Sequence, residues 1–327
     1  MNRSLFLLSF ALALAGKAGA EGYDPLTVDS GFHASRLDVT VHDTERQRDI
    51  PVRFYLPAQT AAAPVVLFSH GLGGTRKGSV FLGEHWAARG YVAVFLQHPG
   101  SDDSVWKNVA PDERFQAMKQ AASAKNFLLR VQDVPAVLNQ LEIWNGDKTN
   151  ALAGRLDMKK IAMTGHSFGA ITTEAVSGED FPGDAQGFTD ARIRAAIIFS
   201  PSAPRTDDPA DAFAEVKIPW LLMTGTKDTT PLGTADMKSR LAVYPALQHA
   251  PKYQVVLNNA EHSVFTDRPL PGDQEPRNPN HHRVILALST AFLDAYLRGD
   301  AAALAWLNGA GPRSVMEPAD QWQFSAH

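Results

Sequence analysis

Apolar and β-branched residues along this chain fall into short continuous runs that alternate with longer stretches of helical spacing. The first two runs, 37–41 and 50–55, flank a charged turn at 43–48 and read as an antiparallel hairpin. Residues 64–69 form a buried strand leading into a glycine-rich loop. A helix is expected over 80–89, closed by Gly90, and a strand over 91–96. Phe127, Leu128, Val131, Val134, Val137, Leu138 and Leu141 place a longer helix over 127–144. Further strands are expected over 160–164, 195–199, 220–224 and 253–257, with helices over 170–176 and about 282–297.

An early antiparallel pair followed by repeated strand–helix units predicts an α/β fold. Its central sheet should be mostly parallel and covered by helices on both faces. Ligands of such sheets bind at the carboxyl ends of the strands. No repeat, linker or low-complexity tract divides residues 21–327, which read as a single domain. Two segments look inserted. Residues 99–124 are polar but hold Trp106 and Phe115, a candidate substrate wall or lid, whereas 267–280 are rich in proline and charge and read as a surface loop.

The first 20 residues have a different character. Arg3 is followed by an apolar run over 5–15, interrupted by Ser9, and Ala18-Gly19-Ala20 precedes a cleavage point. This reads as a secretory signal removed after Ala20, too short to span a bilayer. The mature protein is then expected to be secreted or periplasmic, without an integral membrane span. A net charge of −4 and the lack of a long basic run point to no nucleic-acid partner, and 44% hydrophobic residues suffice for a large core. The sequence leaves the oligomeric state open. It contains no cysteine, so covalent chemistry must use oxygen or nitrogen, and thiolate-bound metal is excluded.

Candidate chemistry starts at Gly165-His166-Ser167-Phe168-Gly169, between the strand at 160–164 and the helix that follows. G-x-S-x-G alone is also an ordinary glycine-rich turn. At a strand-to-helix junction it instead holds a serine in a strained backbone, hydroxyl exposed, beside a helix N-terminus that favours negative charge. Such a serine needs a base, and the base an orienting acid. Asp228 follows the strand at 220–224, and His262 follows the strand at 253–257. Taken singly, each reads equally as a turn former or a surface histidine, but the order Ser167, Asp228, His262 is that of a nucleophile-elbow hydrolase. Glu261 and Asp267 are rival acids. Glu261 adjoins the base and so tends to point elsewhere, and Asp267 lies beyond it.

An oxyanion hole would take one backbone N–H from Phe168 and another from Ser69-His70-Gly71-Leu72-Gly73-Gly74, with Leu72 the candidate donor. This glycine-rich loop matches neither phosphate-binding pattern. His70 and His166 read as local hydrogen-bonding residues. His281 and His282 are adjacent rather than one helical turn apart, so neither a metal nor any cofactor is expected.

Together these motifs resemble the α/β-hydrolase superfamily. The His70–Gly74 and Gly165–Gly169 pair is similar to that of platelet-activating-factor acetylhydrolases and dienelactone-hydrolase-like esterases. The resemblance implies cofactor-free cleavage of small-molecule, lipid or polyester esters through an acyl-enzyme. Two features depart from it. Dienelactone hydrolases use a cysteine nucleophile, and the eukaryotic acetylhydrolases place their acid after an earlier strand, near Ser200-Pro201-Ser202, where this chain has no carboxylate. Leu72, Phe168 and Trp106 would line an apolar substrate pocket or serve as packing. An amidase or peptidase using the same triad, and a non-catalytic exported binding protein of this fold, are the alternatives.

Overall fold

The computed structural model describes residues 22–181, 187–204, 208–230, 232 and 235–326; the expected signal at 1–20 lies outside them. Strands β1 (Ser35–Asp43) and β2 (Arg48–Leu56) pair antiparallel as the hairpin anticipated from the sequence. They are followed by β3 (Ala63–Ser69), helix α1 (Val80–Ala88), β4 (Val92–Leu96), short helices α2 (Ser104–Lys107) and α3 (Arg114–Ala121), and the long α4 (Ala124–Gly146). Next come β5 (Leu156–His166), α5 (Phe168–Val176), β6 (Ile193–Phe199), α6 (Pro209–Ala212), β7 (Trp220–Lys227) and α7 (Met237–Ala246). The chain ends with β8 (Lys252–Glu261), a 3-10 turn at His262–Phe265, α8 (Pro279–Arg298), α9 (Ala301–Leu307), α10 (Gly311–Val315) and β9 (Gln321–Ser325).

Among the described residues the nine strands form one sheet, ordered β1-β2-β4-β3-β5-β6-β7-β8-β9. The six strands β3 to β8 pair in parallel, while β1, β2 and β9 are joined at the two edges by antiparallel pairing. Residues of the central strands alternate between two cores, because successive strand side chains point to opposite faces. Val66 and Phe68 of β3 pack with Trp86 of α1 and Leu288 and Phe292 of α8. Val65 and Leu67 pack on the other face with Val134, Val137 and Leu141 of α4. Trp220 and Leu222 of β7 meet Val243 of α7 on a smaller apolar cluster. The expected α/β-hydrolase architecture is the one observed.

Several elements differ from their expected extents. β5 and β8 are longer, since their ends alternate or turn polar while still pairing with neighbours. The segment 99–124 is not irregular but carries α2 and α3. Helix α7 buries only Arg240, Val243 and Ala246 and contains Pro245, so it carries little periodic signal. It is started by a reciprocal cap between Asp236 and Ser239. The edge strand β9 is short and about half polar and gives no strand signal of its own.

One buried carboxylate ties the N-terminal segment, α1, β4 and α8 together. Asp294 accepts from Tyr23 (2.8 Å), Tyr91 (2.5 Å), Arg89 (2.7 Å) and Arg298 (2.8 Å) and is almost inaccessible to solvent. Removing one member of a buried charge cluster leaves the others uncompensated, at a cost of about 3–5 kcal/mol. Asp294→Ala should therefore lower stability by about that amount in urea unfolding, with turnover of the folded fraction unchanged. A loss below about 1 kcal/mol, the usual worth of a surface ion pair, would show that Asp294 is dispensable.

Candidate active site

The parallel register sets the site. Ser69 of β3 pairs with Gly165 of β5, His166 of β5 with Phe199 of β6, and Lys227 of β7 with Glu261 of β8. The strands therefore end nearly level, and the residues just beyond them, His70 to Leu72, Ser167, Ser200, Asp228 and His262, emerge along one rim. Ser167 has φ 58° and ψ −114° and opens α5, with its own N–H bonded to the Phe199 carbonyl at 3.0 Å. A β-carbon on Gly169 would overlap the Ser69 carbonyl oxygen, and one on Gly165 the Gly169 carbonyl. Both glycines are needed for α5 to press so closely on the ends of β3 and β5.

The structure brings Ser167, His262 and Asp228 together. Ser167 Oγ lies 2.9 Å from His262 Nε2, and His262 Nδ1 lies 2.6 Å from Asp228 Oδ1. His262 does not sit in an irregular loop, as its sequence context suggested. It begins the 3-10 turn directly after β8, which bends at Asn259, a residue with φ 57°. The rival acids face elsewhere. Glu261 accepts from the Gln274 and Glu275 N–H groups, and Asp267 from the N–H of Phe81.

Asp228 is fully buried and well satisfied. Its Oδ2 accepts from Thr224 Oγ1 at 2.8 Å, and its Oδ1 is also 3.1 Å from Arg240 Nη2. Burial pushes the Asp228 carboxyl up, but His262, Arg240 and Ser200 together outweigh that and hold it well below the usual carboxylate range. Arg240 further donates to the carbonyls of Asp228 (2.6 Å), Ser200 (2.8 Å) and Pro201 (3.1 Å). Its Nη2 is 3.3 Å from His262 Nδ1. With the proton on Nδ1, the tautomer that leaves Nε2 free to accept, both donors converge on Asp228 Oδ1 rather than bonding each other. Ser200, just beyond β6, has φ 62° and its hydroxyl lies 3.4 Å from His262 Nδ1.

Leu72 follows β3 and Phe168 is the first residue of α5; neither N–H has a protein acceptor among the described residues. Both are therefore free to donate, and Gly71, next to Leu72, comes close to the Ser167 side chain. The loop carrying Leu72 is fixed on its far side: Gly73 N–H donates to the Ser101 carbonyl at 2.8 Å, and Gly74 N–H to the Gly71 carbonyl at 3.0 Å. Trp106 leans on this loop, its indole N–H bonded to the Gly73 carbonyl at 2.8 Å and the guanidinium of Arg114 5.8 Å from its ring. His70 Nδ1 donates to the Gly71 carbonyl (2.7 Å) and its Nε2 accepts the His98 N–H (3.1 Å), while the His166 ring packs 4.6 Å from the His262 ring. Burial drives both imidazoles well below the usual histidine range, so they stay neutral.

Residues that the motifs did not disclose also converge here. Arg130 and Asp133 of α4, His98 after β4, and Arg240 of α7 are all buried. The available signal was a pair of charges on the apolar stripe of the 127–144 pattern. His281 and His282 bond to carbonyls of Asn258 (3.0 Å) and Val264 (2.9 Å), and among the described residues no group of His, Asp and Glu could hold a metal. A cleft of about 370 Å³ lies behind the 3-10 turn, lined by Glu261, Ser263, Asp273, Arg277 and His282. Ser167 does not line it, so it is not where the hydroxyl would meet a substrate.

The mostly parallel sheet, with a serine at the tight turn between β5 and α5, is consistent with an α/β-hydrolase fold. No protein-family model matches the chain. It is 27% identical over 157 residues to platelet-activating factor acetylhydrolase of Cavia porcellus, a match covering 40% of this chain and 36% of that relative's length. The chain thus aligns with little more than a third of the relative it resembles.

A second feature of α5 is electrostatic. Glu174 is fully buried with only one oxygen bonded, to the Ser202 N–H at 3.2 Å; Glu179 is nearly as buried, and one oxygen of each lacks a partner among the described residues. Burial pushes Glu174 up from 4.5 to about 8, and burial plus the neighbouring Glu174 charge raise Glu179 well above its ordinary value. A carboxyl raised in the folded state holds its proton better there than in the unfolded chain. Stability from this pair is therefore full in acid and is lost as pH rises toward 8 and beyond. Urea midpoints should fall from about pH 5 to about pH 9 in the wild type and fall less in Glu179→Gln. Parallel pH dependences in the two proteins would rule this linkage out.

Proposed function

We propose that this protein is an exported serine hydrolase that cleaves carboxylic esters. The reading rests above all on the continuous Ser167–His262–Asp228 hydrogen-bonded chain and on two backbone N–H groups, of Leu72 and Phe168, that have no protein acceptor among the described residues. As Ser167 Oγ attacks the ester carbonyl, its proton passes to His262 Nε2, and Asp228 holds the imidazole in the accepting tautomer and balances its new charge. The Leu72 and Phe168 N–H groups receive the oxyanion of the tetrahedral intermediate. Collapse breaks the carbonyl–alkoxide bond, His262 returns the proton to the departing alcohol, and water repeats the sequence on the acyl-enzyme. The resemblance to an acetylhydrolase makes an acetyl ester the first substrate to try. Export is supported by the charged, apolar and small-residue pattern of residues 1–20.

Ser167→Ala should lower turnover of p-nitrophenyl acetate by about four to six orders of magnitude with folding intact. The wild type should be labelled at Ser167 by a fluorophosphonate probe, which a non-catalytic binding protein would not be. Faster turnover of the matching p-nitroanilide would instead point to an amidase. Retention of most activity in Ser167→Ala would remove the hydrolase reading altogether.

A further inference from the structure

Arg130 is a full positive charge on the apolar stripe of α4, with no exposed surface. Burying a guanidinium costs several kcal/mol unless its donors are well used, and a methionine would fill the same space without that cost. Its donors reach three separate pieces of the rim. Nε donates to Thr172 Oγ1 of α5 at 3.0 Å, Nη1 to Ser101 Oγ at 3.0 Å, and Nη2 to Ser69 Oγ at 2.9 Å and to the His70 carbonyl. The guanidinium also lies 4.6 Å from the centre of the Phe168 ring.

Each of these partners leads to one of the two free N–H groups. Ser69 and His70 are the residues from which the Leu72 loop departs. Ser101 contributes the carbonyl that takes the N–H of Gly73, next to Leu72. Thr172 Oγ1 in turn donates to the Phe168 carbonyl at 2.9 Å. One rigid fork thus spans both halves of the proposed oxyanion hole.

Ser69 is held from its other side as well. Its hydroxyl lies 2.9 Å from His98 Nε2, and His98 Nδ1 lies 2.9 Å from Asp133 Oδ2, which also accepts from Arg48 at 2.9 Å. This copies the order of a serine–histidine–aspartate relay, but all three residues are sealed from solvent and Arg130 already donates to the hydroxyl. It can anchor a loop and cannot attack a substrate.

We propose that Arg130 is the positioning residue that sets the spacing and orientation of the Leu72 and Phe168 N–H groups. The proposal rests on the ester-hydrolase reading above. A residue acting only through these donors affects the tetrahedral state, where the oxygen carries charge, far more than it affects substrate binding.

The test compares Arg130→Met, Arg130→Lys and Thr172→Val with the wild type on p-nitrophenyl acetate, alongside inhibition by a trifluoromethyl ketone that forms a tetrahedral adduct on the serine. Arg130→Met should lose about 10²–10³-fold in kcat with KM changed less than about threefold. Affinity for the ketone should fall by a similar factor. Arg130→Lys should recover only part of the loss, because an ammonium lacks the planar fork, and Thr172→Val should lose about tenfold. Circular dichroism checks folding; if Arg130→Met does not fold, the lysine and Thr172→Val proteins carry the same comparison. Folded variants with near-wild-type kcat, or with raised KM and unchanged ketone affinity, would overturn the proposal. Ser167→Ala run in parallel separates the two ideas. Serine-dependent turnover with unaffected Arg130 variants sinks only this inference, whereas serine-independent turnover sinks the hydrolase reading beneath it.

Discussion

The level ending of the parallel strands is the constraint on which this molecule depends. Backbone pairing carries Lys227 opposite Glu261 and His166 opposite Phe199, so a shift of one residue in either pair would turn Asp228, His262 or Ser167 to the opposite face. The pairing is locked by the two cores, which the alternating side chains of β3 to β8 fill from both sides. Hydrophobic burial here does chemical service: it holds three side chains from distant parts of the chain to within hydrogen-bonding distance.

Around that rim the protein tolerates features that would be costly elsewhere. Ser167 and Ser200 both occupy positive φ, and α5 approaches β3 so closely that no side chain fits at Gly169. Strain of this kind persists only where neighbours over-determine it. The Phe199 carbonyl holding the Ser167 N–H, and the Met223 carbonyl holding the Ser200 N–H at 2.8 Å, are such neighbours.

Two buried arginines occupy matching places on either side of the serine. Arg240 packs against the acid and the backbone of Ser200 and Pro201, whereas Arg130 packs against the loop and helix bearing the free N–H groups. Each satisfies its donors with oxygen atoms from more than one element, which is how a buried charge becomes a joint rather than a liability.

Much of this was readable in the residue order. Short continuous apolar runs marked the central strands, the 127–144 pattern marked α4, and G-x-S-x-G with Asp228 and His262 after later strands marked the rim, since these signals depend only on local spacing and on where a strand ends. Helix α7, strand β9 and the extension of β8 to Glu261 were not legible, because their residues gain stability from neighbours rather than from their own periodicity. Residue order alone already favoured Asp228 over Glu261 and Asp267, and in the fold it is Asp228 that lies 2.6 Å from the imidazole while the other two bond backbone N–H groups. What Arg130 and Arg240 bond to was not legible. A charge on an apolar stripe announces that it will be buried, but its partners are set by which elements pack against it, and that is decided in three dimensions.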